Sequence, residues 1–187
     1  YSWNFGDGGT STETSPSHTY ASAGTYSVTL TASDGNGGSA MVSKDVTVSA
    51  ASLTEAAPLP TEDPGTVISI YSNAYTNISG VNTNPNWGQQ TLVTNEVVAG
   101  DDVLKLTGLN YQGIDFSSNK FDATEMTNFH MDIWTPNEVL DKVFTIKCVD
   151  FGGGAAEASN FILTVTHTAN GNIPALATGS WVSIDVP

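Results

Sequence analysis

Apolar rhythm is the feature that most limits what this chain can fold into. Hydrophobic residues alternate with polar ones in short runs, and Gly, Asn, Asp, Ser or Pro fills the gaps. A period of two sends successive side chains to opposite faces of an extended strand, whereas a helix needs 3.6-residue spacing. Gly24-Thr-Tyr-Ser-Val-Thr-Leu-Thr-Ala32 sets Tyr26, Val28 and Leu30 on one face, and Ala40-Met-Val-Ser-Lys-Asp-Val-Thr-Val48 reads as its return strand. Asp34-Gly-Asn-Gly-Gly38 between them supplies the turn, because glycine reaches positive φ without a steric cost. Further runs stand at Val67–Tyr71, Thr91–Val98, Val103–Leu109, Phe129–Trp134, Val143–Val149, Phe161–His167 and Trp181–Val186. The spacing predicts an all-β chain of antiparallel sheets, with the later runs forming a β-sandwich or jelly roll. A βαβ arrangement is excluded, because no amphipathic helix pattern stands between the runs.

The texture breaks once. From Ser49 to Gly65 the chain carries three prolines and no sustained alternation, which reads as a stiffened linker. A short helix at Leu53–Ala57 is the alternative there, though marginal on its own. The expected organisation is therefore a first domain at 1–49, a linker at 50–65 and a second domain at 66–187.

Charge narrows the partners. The chain has 19 acidic residues against 5 lysines, a formal net charge of −14. It has almost nothing with which to neutralise phosphates, so neither nucleic acid nor an anionic lipid surface is an expected partner. No apolar run approaches the roughly 20 residues of a membrane span, so no membrane insertion by this segment is expected. The lone cysteine, Cys148, shares phase with Phe144 and Ile146 and reads as a buried structural thiol. His18, His130 and His167 lie on separate segments without metal-ligand spacing. No nucleophile elbow, P-loop or dinucleotide fingerprint is present, and Phe151-Gly-Gly-Gly-Ala155 lacks a following helix to aim its amides at phosphate. The carboxylates include no obvious catalytic pair on one strand, so the segment is expected to be non-catalytic.

Three motifs near the start carry a family resemblance: Trp3-Asn-Phe-Gly-Asp-Gly8, Ser17-His-Thr-Tyr20 and Gly24-Thr-Tyr-Ser-Val-Thr-Leu30. In this order and spacing they resemble a PKD domain, an immunoglobulin-like module common in secreted bacterial hydrolases and surface proteins. Asn4 stands where the pattern usually has Asp. The resemblance implies a spacing and presenting role; from the residues themselves Trp3, Phe5 and Tyr20 are expected as core or corner residues and Asp7 as an acceptor of backbone hydrogen bonds in a tight turn. It covers about the second half of such a module, so the expected fold is a partial immunoglobulin-like (PKD) sandwich whose N-terminal strands are missing, within a longer chain.

A second resemblance rests on Val67-Ile-Ser-Ile-Tyr-Ser-Asn-Ala-Tyr-Thr76, Asn84-Pro-Asn-Trp-Gly-Gln89, Leu109-Asn-Tyr-Gln-Gly113, Met131-Asp-Ile-Trp-Thr-Pro136 and Gly179-Ser-Trp-Val-Ser-Ile-Asp-Val-Pro187. Together these look like a carbohydrate-binding β-sandwich found beside PKD domains in secreted and surface glycan-utilisation proteins of Bacteroidetes-type bacteria, some attached to laminarinases. The resemblance implies an extracellular or outer-surface location, a polysaccharide partner, other domains of the same chain, and last strands of this sandwich that should follow Pro187. It leaves structural calcium open as the one cofactor, although Asn73 and Asn77 replace the Asp often found in relatives and are weaker ligands for a hard cation.

Strand phase points independently to a sugar-facing surface. In Phe129–Trp134, Phe129, Met131 and Ile133 form a core face, which leaves His130, Asp132 and Trp134 on the other. An acid, an imidazole and an indole suit an outer face, where sugar C–H patches can lie on the ring and hydroxyls can bond the polar groups. Trp87 sits in a polar loop among Asn86, Gln89 and Gln90, and Tyr111 and Gln112 repeat that composition. The expected carbohydrate contacts are Trp87, Tyr111, Gln112, Asp132 and Trp134, with Tyr75 and His130 at the margin. Trp181 begins a strand whose core phase is Val182, Ile184 and Val186, and is expected to pack at the rim. The expected ligand is a neutral β-glucan of the laminarin type; the alternative is a structural stalk or adhesin segment with no sugar site.

Overall fold

The structure, a computed structural model, describes residues 1–154 and 156–187; Ala155, the last residue of the glycine-rich run, lies outside them. The chain is all-β. Its strands are β1 (Ser2–Asn4), β2 (Thr10–Ser11), β3 (Gly24–Ser33), β4 (Ser39–Val48), β5 (Leu92–Val98), β6 (Asp101–Thr107), β7 (Phe129–Trp134), β8 (Val143–Asp150), β9 (Ser159–Thr166) and β10 (Trp181–Val186). Every strand pair is antiparallel, and among the described residues the helical elements are two three-residue 3-10 turns.

The first four strands make one sheet in the order β2-β1-β3-β4. The β3–β4 hairpin runs in unbroken register from Gly24↔Val48 to Ser33↔Ser39. Its tip is tied by Asp34, whose Oδ1 accepts from the amides of Asn36 and Gly38, both at 2.9 Å. A file of rings crosses the sheet edge. Trp3, Phe5, His18, Tyr20 and Tyr26 follow one another at centroid separations of 6.4, 4.0, 4.7 and 4.2 Å. Such ring pairs add about 0.5–1.5 kcal/mol each beyond the area they bury. Polar ties lock the file in place: Tyr20 Oη donates to Phe5 O at 3.0 Å, and Asp7 bonds both His18 at 2.7 Å and the Gly9 amide at 2.9 Å. Gly6, at φ 84°, is the one residue that fits its place, since a Cβ there would lie 2.9 Å from the backbone N and O of Ser27.

The second half comprises three hairpins or pairs, β5–β6, β8–β9 and β7–β10. The inward faces of β7–β10 and β8–β9 pack on each other. Ile146, Leu163, Val165, Leu176, Val182, Ile184 and Val186 form the buried cluster, with Phe129, Met131, Ile133, Phe144 and Cys148 against it. In β7, β8 and β10 these are the core phases read from the sequence, whereas Leu163, Val165 and Leu176 join the core without having been singled out there. Burial pushes the Cys148 thiol up from its ordinary pKa, as expected of a packed rather than reactive cysteine.

One local expectation is corrected, and one alternative is not taken up. Val67–Tyr71 forms no strand; its one ladder contact is a bridge between Ser69 and Asn77. Ile78 N donates to Ser69 O at 2.8 Å, the Asn77 amide donates to Ser72 O, and the Asn77 carbonyl accepts from Ser69 Oγ, so a single local bridge with side-chain ties stands where a ladder was expected. Leu53–Ala57 forms no helix either. Its groups turn outward to other partners: Glu55 O accepts from the Trp181 indole at 3.0 Å, and the Ala57 amide donates to Asp101 Oδ2 at 3.3 Å. Residues 51–58 thus lie against the later strands rather than hanging free.

Candidate functional site

The expected contact residues fall into separate groups. The first is built from the loops around 82–91 and 109–115. A pair of backbone hydrogen bonds between Asn82 and Asp115, at 2.7 and 2.8 Å, clamps the loops together. Thr91 Oγ1 reaches across to Asn110 Oδ1 at 3.1 Å and to Tyr111 O at 2.7 Å. Pro85 is buried beneath, and Gly88, at φ 85°, reverses the chain.

Trp87 sits at the top of this assembly. Its amide donates to Gln89 Oε1 at 2.9 Å, and its carbonyl accepts from Tyr111 Oη at 2.5 Å. Its six-membered ring presses directly on Gly113, where a Cβ would stand 2.3 Å from the ring. Even so, Trp87 remains 56% exposed and Tyr111 45%. The indole is fixed from below and open above. Gln112 turns inward. Its Nε2 donates to Thr83 O at 2.9 Å and to Gly113 O at 2.8 Å, and its Oε1 is buried without a partner. That makes Gln112 a brace between the loops.

The second group is a cross-strand ladder on the outer face of β7–β10. Register pairs His130 with Asp185, Asp132 with Ser183 and Trp134 with Trp181. His130 is held between two carboxylates, Nδ1 to Asp185 at 2.6 Å and Nε2 to Asp132 at 3.1 Å. Asp132 Oδ1 also accepts from Ser183 Oγ at 2.5 Å, and its side chain is only 12% exposed. Burial, the largest single influence on His130, works against its charge. The hydrogen bonds and charges of Asp185 and Asp132 together outweigh it and hold the imidazole pKa above its ordinary value. Tyr75 belongs to neither group: its hydroxyl donates to Glu62 O at 2.9 Å, at the end of the proline-rich segment.

Trp181, Ser183 and Asp185 were the members of this ladder that sequence phase alone did not join to β7. Their alternation with Val182, Ile184 and Val186 marks them as outward. Only the register shows that they meet Trp134, Asp132 and His130.

As to metals, the Asn73 amide meets Asp102 at both ends when its oxygen and nitrogen are placed to suit their partners, at 3.2 and 2.9 Å. Asn77 is engaged with Ser69 and Ser72. Among the described residues, no cluster of three or more His, Cys, Asp or Glu is arranged to hold an ion. No helix among them is long and apolar enough to cross a membrane.

Residues 1–49 match the PKD domain family. Over 48 residues the chain is 52% identical to collagenase ColA of Bacillus cereus, covering 26% of this chain and 5% of that protein. It is 50% identical over 48 residues to a microbial collagenase of Vibrio alginolyticus, covering 26% and 6%. It is 56% identical over 39 residues to the pre-pro-metalloprotease PrtV of Vibrio cholerae, covering 21% and 4%. The chain thus spans only about a twentieth of the length of the curated relatives it matches. No solved structure matches it.

Proposed function

We propose that this chain is a non-catalytic glycan-binding segment. In this reading residues 66–187 bind a neutral polysaccharide such as a laminarin-type β-glucan, and the PKD domain at 1–49, with the linker at 50–65, is a spacer that presents them. The segment would serve a surface glycan-binding protein or a secreted glycoside hydrolase of Bacteroidetes type, outside the cell, with any chemistry in other domains of the same chain. The similarity of residues 1–49 to parts of bacterial collagenases and a metalloprotease supports attachment to a larger extracellular hydrolase.

The observation that carries the reading is Trp87. An indole more than half exposed, yet fixed through its amide, its carbonyl and Gly113, is a pre-organised stacking surface. Tyr111 extends it, and Asn86 and Gln90 lie nearby in sequence for hydroxyls. Trp134, with Asp132 and His130 at its side, is proposed as the second surface; Gln112 and Tyr75 would position their loops. The net charge of −14 favours a neutral polymer over a sulfated or uronic one.

Affinity electrophoresis tests this. Retardation by laminarin in the gel, and not by alginate or gelatin, is the expected result. Equal mobility with and without laminarin contradicts the proposal, and retardation by gelatin alone would replace the glycan with a protein substrate.

A second reading, a structural stalk without a sugar site, draws on a specific observation. Asp132, Gln112 and Tyr75 are already hydrogen-bonded within their own chain. It predicts no retardation by any polymer.

A further inference from the structure

Trp134 and Trp181 face one another in register on neighbouring strands, so their side chains start within about 5 Å of each other on the outer face. That face is not bare. The segment 52–58 runs across it, held by the hydrogen bond from Trp181 Nε1 to Glu55 O at 3.0 Å. Gly179, at φ 71°, lets the segment come close, since a Cβ there would lie 2.9 Å from that of Ala51. Between segment and strands a cleft of about 370 Å3 stays open. This is at the small end of the roughly 300–1,000 Å3 common for small-molecule sites.

Its chemistry is specific. Trp134 and Trp181 line it, and Ser52, Thr54, Glu55 and Ser180 are its polar lining residues. No lysine or histidine lines it. Aromatic rings with hydroxyl and carboxylate acceptors, and no cation, suit an uncharged polyhydroxylated ring and repel an acidic one. The size suits the end of a chain better than a long run of it.

We infer that the cleft between residues 52–58 and the Trp134–Trp181 pair is a binding site for a terminal sugar ring of a neutral oligosaccharide, and that the proline-rich segment is one of its walls. The inference rests on the proposed glycan-binding function and adds to it a pocket, a new contact residue in Trp181, and a binding role for a segment that otherwise reads as a spacer. Because that segment leads directly from the PKD domain, a bound sugar end would also fix the segment against β7–β10.

The experiment measures binding of laminaritriose and of laminarin to the full chain by titration calorimetry, with the thermal midpoint recorded for every variant. Trp181→Ala is expected to weaken laminaritriose binding about thirtyfold, the size of a stacking hot spot. If Trp181→Ala fails to fold, Ser180→Leu decides: Ser180 is exposed, so the added side chain fills the cleft without disturbing the core. Ser180→Leu is expected to weaken laminaritriose binding at least tenfold at an unchanged midpoint. Equal laminaritriose affinity in wild type and Ser180→Leu overturns the cleft and leaves the Trp87 reading standing. Binding of laminarin but not of laminaritriose by the wild type does the same. Failure of the wild type to bind either sugar overturns both.

Discussion

Between β1 and β4, Phe5 is the one buried apolar side chain among the described residues; a file of five rings and a few polar ties hold the sheet edge together. Between β7 and β10 the order is reversed: seven aliphatic side chains are buried in one cluster, and the polar groups stand on the outer face. The contrast explains why the two halves differ so much as text. In the first half each motif residue answers a separate geometric demand. Gly6 must clear Ser27, Asp7 must reach both His18 and Gly9, and Tyr20 must reach Phe5 O. Such demands admit few substitutes, and residues 1–49 match a family and curated relatives. In the second half the core asks for apolar volume in the right phase, which many sequences can supply.

The largest effects should separate the halves. Phe5→Ala is expected to cost about 3–5 kcal/mol in the first half, and Ile184→Ala, from a position with no exposed surface, about 2–5 kcal/mol in the second. Hydrogen-exchange protection of β3 and of β9 would report them separately. Loss confined to β3 in one variant and to β9 in the other supports the contrast; matched losses in both strands would mean a single cooperative unit.

A smaller pair of substitutions tests whether the motif glycines work by geometry. Gly6 and Gly8 both have positive φ, but only Gly6 has backbone in the way of a Cβ. Gly6→Ala should destabilise the first half by about 1–3 kcal/mol from strain and more from the clash with Ser27. Gly8→Ala should show the strain alone, about 1–2 kcal/mol. Equal thermal shifts would remove the steric explanation.

The smallest effect is in pH, and its sign is opposite in the two halves. The folded protein holds the His130 proton more tightly than the unfolded chain does. The stability this contributes is therefore fully present below the ordinary imidazole value of 6.5 and is lost as pH rises through the raised folded value. The Asp7 carboxyl is held low, first by its hydrogen bond with His18 and then by the Gly9 amide. Its contribution is present above the ordinary 3.8 and is lost as pH falls through the lowered value. His130→Gln should flatten the alkaline slope of the second half, and Asp7→Asn the acid slope of the first. Unchanged slopes in both variants would assign the pH response to other groups.

The sequence was most legible where a period or a motif has a single structural answer. The β3–β4 hairpin, the inward phases of β7, β8 and β10, and the packed Cys148 follow from alternation alone. Val67–Tyr71 has the same alternation and is no strand; Ser69 is taken up instead by a local bridge to Asn77 and Ile78, through backbone and side chain. That competition depends on a partner eight residues away and leaves no mark on periodicity. The outward polarity of β7 was legible too, but not the identity of the strand beside it, so the meeting of Trp134 with Trp181 emerged only from the register. The setting of Gln112 was not legible for a related reason: a polar loop amide can face a ligand or brace a neighbouring loop, and its hydrogen bonds to Thr83 and Gly113 are not encoded nearby.

Glycan binding is tested most directly at Trp87, which is exposed but not loose. Trp87→Ala should weaken laminarin affinity by about 2 kcal/mol, roughly thirtyfold, because it removes a fixed stacking ring. The thermal midpoint should move little, because an exposed ring leaves no cavity in the core. A large fall in the midpoint with laminarin affinity per folded molecule unchanged would show that Trp87 is structural and contradict the account.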